Sequence, residues 1–438
     1  MRLLVIGFLF FSVCCQAETI SLDMANDRMV NKNHSIKLAN LKRKQSEVML
    51  KQAWGSVFPN IDLVFDHIHN ELIGTRRLSS ATALTNAEQD NLNLAPINAN
   101  RIKLSVNQVL YDSKIPDQID LATRQYEMAE LEYDQTIQDF RLELATLYYE
   151  IGRLEKNHKL ALLEVETLTE NLEEIKNKRA LNLHTKQDVL DVQMQLAESK
   201  QNELNQRQSL RLNRHRFNHM IGQDIRDEFT IDIGVLNPVY YLDISDSLGA
   251  LETAWENRKD YLLLLNQKNQ RLIEKKMLDE NIIPVVSFQS TVGTTHSSEF
   301  SFYREDKDIS WTIAATVPIF TGFKQTNKIE EINIMIDIIE TEIALKKEAI
   351  RIEINDAIYE MNLAKQRSKD QDIAIELAKE RLDIISAKYA EKSATQIDLM
   401  KAKNNLTKAK LNQVTAQYEL AIAAAKFKHS IGRNPIQI

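Results

Sequence analysis

The positions of apolar residues along this chain follow two rhythms. From Leu147 a seam reads Ile151, Leu154, His158, Ala161, Val165, Leu168, Leu172 and Ile175. Steps of four and three residues make a heptad, so the stretch predicts a long helix packed on another helix. A second seam reads Ala357, Met361, Ala364, Ser368, Gln371, Ile375, Ala378, Leu382, Ile385 and Tyr389, and runs back through Ile350, Ile343, Ile339, Ile336, Ile332 and Ile329. Residues 328–389 alone would span roughly 90 Å at 1.5 Å per residue. Elsewhere the period is two. Ile102, Leu104 and Val106 alternate with Lys103, Ser105 and Asn107, and Ile309, Trp311, Ile313 and Val317 alternate with more polar partners. Together with Ile61–Phe65 and Val286–Val292, these predict four strands, each with one apolar and one polar face.

The two rhythms recur in the same order, because the chain repeats itself. Arg141, Glu143, Tyr149 and Glu150 return 210 positions on as Arg351, Glu353, Tyr359 and Glu360. Thr185, Asp188, Phe217, His219, Ile221 and Gly222 return as Thr395, Asp398, Phe427, His429, Ile431 and Gly432. Nearer the N-terminus the offset is 225: Ala25 meets Ala250, Ile36 meets Tyr261 and Pro59 meets Pro284. The second copy is therefore fifteen residues shorter between its strands. Residues 18–58 read as one helix, with Ser21 as a possible N-cap and Pro59 as its end.

The predicted fold is mainly α with a small β part: two tandem strand–strand–long helical hairpin repeats. Residues 18–222 form the first repeat, with strands at about 60–68 and 101–110 and a hairpin at about 114–221. Residues 223–248 link the copies. Residues 249–438 form the second repeat, with strands at about 285–293 and 308–318 and a hairpin at about 324–431. Composition agrees: of ten glycines and seven prolines, no proline lies between Pro116 and Pro238 or between Pro318 and Pro435. Such gaps permit very long helices.

The first 17 residues read as a secretory signal peptide, with Met1-Arg2 as the positive region, Leu3–Val13 as the apolar region and Cys15-Gln16-Ala17 before the cut. A lipidated N-terminus at Cys14 or Cys15 is the alternative. No run reaches the roughly 20 apolar residues of a spanning helix. Strands of 8–10 residues are long enough to cross a bilayer when tilted. Four strands cannot close a barrel, and small membrane barrels need about eight. Strands and seams thus both ask for further copies of the chain. The net charge of −7 gives no reason to expect nucleic acid.

This order of elements resembles the TolC family of outer membrane efflux proteins. The resemblance spans residues 18–432. Gln108–Asp112 and Val317–Gly322 are similar to the family's strand-to-helix transitions, Thr185–Leu190 and Thr395–Met400 to its hairpin turns, and Ile221-Gly222 and Ile431-Gly432 to its repeat ends. What the resemblance implies is a homotrimer in outer membrane lipid, with a 12-stranded β-barrel continuous with a periplasmic α-helical barrel. It would be a passive exit duct of a tripartite efflux or type I secretion system, carrying small molecules or polypeptides. Its partners would be a periplasmic adaptor (membrane fusion) protein and an inner-membrane transporter, and it would need no cofactor and no metal.

Carried over by position, the periplasmic gate maps to Asp188, Asp191, Tyr389, Asp398 and Lys401. The adaptor-contacting tips map to Leu181, Asn182, Leu183, Thr185, Lys392, Ser393 and Thr395. The chain departs from the family here. Lys401 stands where the best-known members carry a second aspartate, Ala394 replaces an arginine, and His34 and Lys259 replace a proline. Asp188 and Asp398 also fit a plainer role as capping-box residues at helix starts. His215 and His219 have the i, i+4 spacing of a metal pair, yet no carboxylate completes a motif. No nucleophile–base arrangement or phosphate loop is present, so the sequence gives no support to an enzyme. A soluble periplasmic coiled-coil structural protein is the alternative reading.

Overall fold

The computed structural model describes residues 18–69, 98–181, 185–232, 247–296, 307–391 and 393–436. The expected signal peptide, the centres of both inter-strand loops and much of 223–248 lie outside them. The elements follow in order: β1 (Glu18–Ile20), α1 (Leu22–Lys32), α2 (His34–Gly55), β2 (Asn60–His69), β3 (Asn98–Tyr111), α3 (Lys114–Ala180), α4 (Lys186–Met220), β4 (Phe229–Ile231), α5 (Ser247–Asn257), α6 (Lys259–Asp279), β5 (Val285–His296), β6 (Lys307–Thr316), α7 (Lys324–Ala390) and α8 (Gln396–Ser430). The copies match in length where the 210 offset holds: α3 and α7 each have 67 residues, α4 and α8 each 35. The chain is mainly α, with a small β part, in two tandem strand–strand–helical hairpin repeats.

Two compact units share these elements. One comprises residues 44–128 and 266–341. Its sheet runs β2-β3-β5-β6, antiparallel throughout. The register aligns Leu63, Leu104, Val292 and Ile309 in one row across all four strands, and Asp62, Ser105, Thr291 and Ser310 in the adjacent row. Neighbouring residues of a strand point to opposite faces, so one face is apolar and the other polar. The apolar row is exposed, as are Phe65, Trp311 and Ile313 beside it. β2 and β6 each have only one strand partner among the described residues.

The other unit comprises residues 1–43, 129–265 and 342–438. Here the seams are buried. Ile151, Leu154, Ala161, Leu168, Leu172 and Ile175 in the first copy, and Ile350, Ala357, Met361, Ala364 and Ile375 in the second, are all under one-tenth exposed. His158 is half-buried in its seam, and its Nε2 lies 3.0 Å from Glu203 Oε1 on α4. Near the copies' joins a core gathers Ile20, Met29, Ile36, Tyr148, Phe217, Ile221 and Phe229. Ile436 packs into the same core from the far end of the chain.

The single helix expected over 18–58 is instead a three-residue strand and two helices. β1 pairs in parallel with β4, Glu18 opposite Phe229 and Ile20 opposite Ile231. The helix breaks at Asn33, whose backbone is extended (φ −66°, ψ 127°). Asn33 Oδ1 accepts hydrogen bonds from the Ser35 and Ile36 amides, capping α2 from its own side chain. Its Nδ2 donates to Met220 O at 2.9 Å.

Gly222 ends α4 at φ +70°, and the amide of Gln223 reaches back to Asn218 O at 2.9 Å. This is the left-handed ending that favours glycine. The second copy repeats it at Gly432 (φ +74°), with Arg433 N donating to Lys428 O at 2.8 Å.

Candidate functional site at the hairpin ends

The loop ends of the two hairpins carry the residues singled out from sequence. In the first copy Thr185 is the N-cap of α4. Its hydroxyl accepts from the Asp188 amide at 3.2 Å, and Asp188 Oδ2 accepts from the Thr185 amide at 2.8 Å. The second copy repeats this capping box: Asp398 Oδ2 accepts from the Thr395 amide at 3.1 Å and from the Thr395 hydroxyl at 2.6 Å. A box of this kind satisfies two orphan amides at once, which is why Thr and Asp stand three apart at both sites. Hydrogen bonds from Thr395, side chain first and then backbone, hold the Asp398 carboxyl below the usual carboxylate range, helped by the charge of Lys401. The plainer capping role is therefore present at both aspartates.

The remaining positions divide. Leu181, Thr185, Ser393 and Thr395 are exposed at the turns, and Asn182, Leu183 and Lys392 lie outside the described residues. Ser393 caps the end of α7, its amide and hydroxyl both donating to Lys388 O, at 2.8 and 3.0 Å. Asp398 and Lys401 are exposed, whereas Asp188, Asp191 and Tyr389 are half-buried. The structure brings Tyr389 of the second copy near Lys178 of the first. The Glu174 hydrogen bond raises the Lys178 ammonium above its usual range, and Tyr389 adds to that shift. Asp191 makes no hydrogen bond or ion pair among the described residues.

Sequence reading missed what joins the two hairpins behind these turns. Met400, the fifth residue of the second-copy helix and two past Asp398 of its capping box, is buried with Leu172, Ile175, Val189 and Val192 of the first copy. Its position just inside the capped turn, on the apolar side of α8, was the available signal. Behind it, burial pushes the Glu164 carboxyl up, with Ser199 hydrogen-bonded to it. Glu164 and Lys403 line a small cavity there, of about 140 Å³. Among the described residues no group of three His, Cys, Asp or Glu side chains is placed to hold a metal ion. No helix among them is long and apolar enough to cross a membrane.

Residues 27–223 match the family described as outer membrane efflux protein. Among curated proteins none matches by sequence. Solved structures match over nearly the full length. The outer membrane protein VceC from Vibrio cholerae is 16% identical, over 94% of this chain and 96% of that one, with a TM-score of 0.74. The CmeC outer membrane channel of Campylobacter jejuni is 13% identical, over 94% and 85%, with a TM-score of 0.77. The open state of the MtrE outer membrane channel of Neisseria gonorrhoeae is 14% identical, over 94% and 89%, with a TM-score of 0.75. These identities establish a shared fold, and the family match adds lineage through the first repeat. Residues 27–223 thus resemble the outer membrane efflux proteins, and the chain as a whole shares the fold of these outer membrane channels.

Proposed function

We propose that three copies of this chain form a passive duct, twelve strands closing one barrel and twelve long helices continuing it as a tunnel. The observation that carries this reading is the open sheet. Its apolar row Leu63-Leu104-Val292-Ile309 is exposed, and its edge strands β2 and β6 lack second partners among the described residues. In lipid an unpaired edge costs several kcal/mol per orphan group, so such a sheet must close with others. Three sheets of four strands reach the size range of membrane barrels. The fold likeness to channels supports the same conclusion.

A periplasmic adaptor and an inner-membrane transporter complete the pathway in this reading, feeding small molecules or polypeptides into the tunnel. The hairpin ends form its entrance. Asp188, Asp191, Tyr389, Asp398 and Lys401 gate it, and Leu181, Asn182, Leu183, Thr185, Lys392, Ser393 and Thr395 meet the adaptor. The capping boxes do not compete with this role, because each uses one carboxylate oxygen inward and leaves the charge at the rim. The test is fractionation followed by planar-bilayer recording. The protein is expected with the outer membrane, as a trimer with small, steady conductance. Recovery in the soluble periplasmic fraction would overturn the proposal.

A further inference from the structure

One cavity lies apart from both the hairpin ends and the sheet. It opens beside the last turns of α4, has a volume of about 690 Å³, and is lined by α3, α4 and the loop after Gly222. Small-molecule pockets span about 300–1,000 Å³. Four guanidiniums converge on it. Arg207, Arg211 and Arg214 stand at i, i+4 and i+7 on one face of α4, and Arg226 comes from the loop. Like charges at that spacing weaken a helix, so the row is a cost to the fold.

The frame around these groups is fixed. Arg214 Nη2 donates to Glu155 Oε1 at 2.7 Å, and its guanidinium lies over the Phe229 ring at 5.7 Å. Asn218 is fully buried, and its Nδ2 pins the loop by donating to Asp227 O at 2.8 Å. Asp224 closes the loop's own turn, its Oδ1 accepting from the Arg226 amide at 2.9 Å. Inside this frame charges of both signs are left over. The side chains of Arg211, Arg226, Asp227 and Glu228 line the cavity, are exposed, and make no hydrogen bond or ion pair among the described residues. The second copy lacks the arrangement. The twins of Arg211, Arg214, Asn218 and Arg226, 210 positions on, are Ala421, Ala424, Lys428 and Ile436, and Ala421 and Ile436 are buried. The same hairpin and the same glycine ending thus form without these side chains, and the architecture does not require them.

We propose that this cavity binds a zwitterionic ligand of the amino-acid or short-peptide class, with its carboxylates on Arg211 and Arg226 and its ammonium groups on Asp227 and Glu228. A guanidinium fork matches a carboxylate through two parallel hydrogen bonds. A plain polyanion would meet two unpaired acids, and a polyamine would meet the arginine row. A ligand carrying both signs satisfies all four groups at once. Because Arg214 and the loop are already held, little conformational freedom is lost on binding. The site is built from one chain, so binding is expected with or without closure into a trimer.

Isothermal titration calorimetry on the purified full chain in detergent tests this, with the tripeptide alanyl-glutamyl-lysine as probe, since it carries two carboxylates and two amines. Saturable binding is expected. Acetylating both amines or amidating both carboxylates should each weaken it at least about tenfold, the loss expected when charge-assisted hydrogen bonds are removed. Arg211→Ala with Arg226→Ala should do the same to the unmodified peptide, as should Asp227→Asn with Glu228→Gln. Arg216→Ala, on α4 outside the cavity, should leave binding unchanged. All five positions are exposed, so helical circular dichroism should match the unsubstituted chain in every variant. Absence of binding by the free tripeptide overturns the proposal. So does equal binding of the acetylated form, which would make the cavity a plain anion site, or equal binding by either double variant.

Discussion

Three glycines with left-handed backbones separate the cost of a torsion from the cost of a contact. Gly222, Gly322 and Gly432 have φ of 70°, 64° and 74°. Alanine in that region costs about 1–2 kcal/mol for the torsion alone. At Gly322 a methyl group would meet nothing within 4 Å, so the torsion is the whole cost. At Gly432 it would stand 2.8 Å from both Arg258 N and Asn257 C, backbone atoms of the α5–α6 break. Ordinary contact needs 3.4 Å or more, so one segment must move by at least half an ångström. Overpacking of that kind adds about 1–3 kcal/mol. At Gly222 the methyl would lie 2.6 Å from Lys32 Cβ and 3.1 Å from Lys32 O, and no rotamer relieves a Cβ contact. Gly432→Ala and Gly222→Ala should therefore each destabilise by about 2–5 kcal/mol in total, and Gly322→Ala by about 1–2. The assay is loss of helical circular dichroism on heating the purified protein in detergent. An equal drop in midpoint for Gly322→Ala and Gly432→Ala would refute the reasoning, since the contact with the helix break would then contribute nothing.

Four further outcomes follow from the same geometry. Asp260→Asn removes the partner of Arg258 (2.7 Å) and of Lys346 (2.7 Å) and should cost about 2–3 kcal/mol at neutral pH. Burial opposes ionisation of Asp260, but those hydrogen bonds win and its carboxyl is held below the usual range. Its contribution is thus complete above about pH 4, the ordinary carboxylate value, and lost as pH falls below it; Asp260→Asn should flatten the acid limb of a stability–pH profile. Glu164 has the opposite sign, its carboxyl raised chiefly by burial, so its ionisation weakens the fold as pH rises and Glu164→Gln should stabilise at pH 8 but not at pH 4. Ile309→Arg on the apolar row should cost about 2–4 kcal/mol if the row lies at mid-bilayer, read as loss of heat-resistant oligomer; an unchanged oligomer would place that row outside lipid. Finally, Thr395→Ala removes a cap while keeping the Asp398 charge, and Asp398→Asn removes the charge, so a conductance rise for Asp398→Asn alone assigns it to the gate, and equal behaviour confines it to capping.

Most of the fold was legible because period and punctuation survive in a single sequence. The heptad seams at 147–175 and 329–389 became the buried stripes of α3 and α7, and strict alternation at 102–107 became the two faces of β3. What stayed hidden was whatever depends on distant chain. The β1–β4 pair joins two three-residue strands about 210 positions apart, too short for any periodic signal. The break at Asn33 was hidden for a different reason. The break carries neither proline nor glycine, and His34 occupies the place of the family's proline. The side chain of Asn33 does the capping instead, and an isolated asparagine announces that only when its partners are known. The hairpin ends were half legible: Thr185–Asp188 and Thr395–Asp398 encode their own capping boxes, but a gate is a property of charges facing one another across chains.

The two copies meet the same demand at their helix breaks with different chemistry. Each returning helix ends at a glycine with its last carbonyls pointing at the break, and a buried carbonyl requires a donor. The first copy uses the neutral amide of Asn33 on Met220 O, 2.9 Å away. The second uses the guanidinium of Arg258 on the twin carbonyl, Ser430 O, at 3.1 Å. The amide closes the account by itself. The guanidinium is a charge only 8% exposed, and a buried charge must be paired. Asp260 and Glu353 supply that pairing, and Lys346 then binds Asp260 in turn. The second copy thus surrounds its donor with three charged side chains; Glu353 has an acidic twin in Glu143, whereas Asp260 and Lys346 stand where the first copy has Ser35 and Thr136. Replacing Arg258 by Asn alone should then fail, because Glu353 loses its cation and Asp260 keeps only Lys346. Arg258→Asn combined with Asp260→Ser restores the first copy's Asn-His-Ser solution in all but its middle residue, and should recover much of the lost stability. Equal midpoints for the single and the double variant would show that the network acts independently of the carbonyl it surrounds.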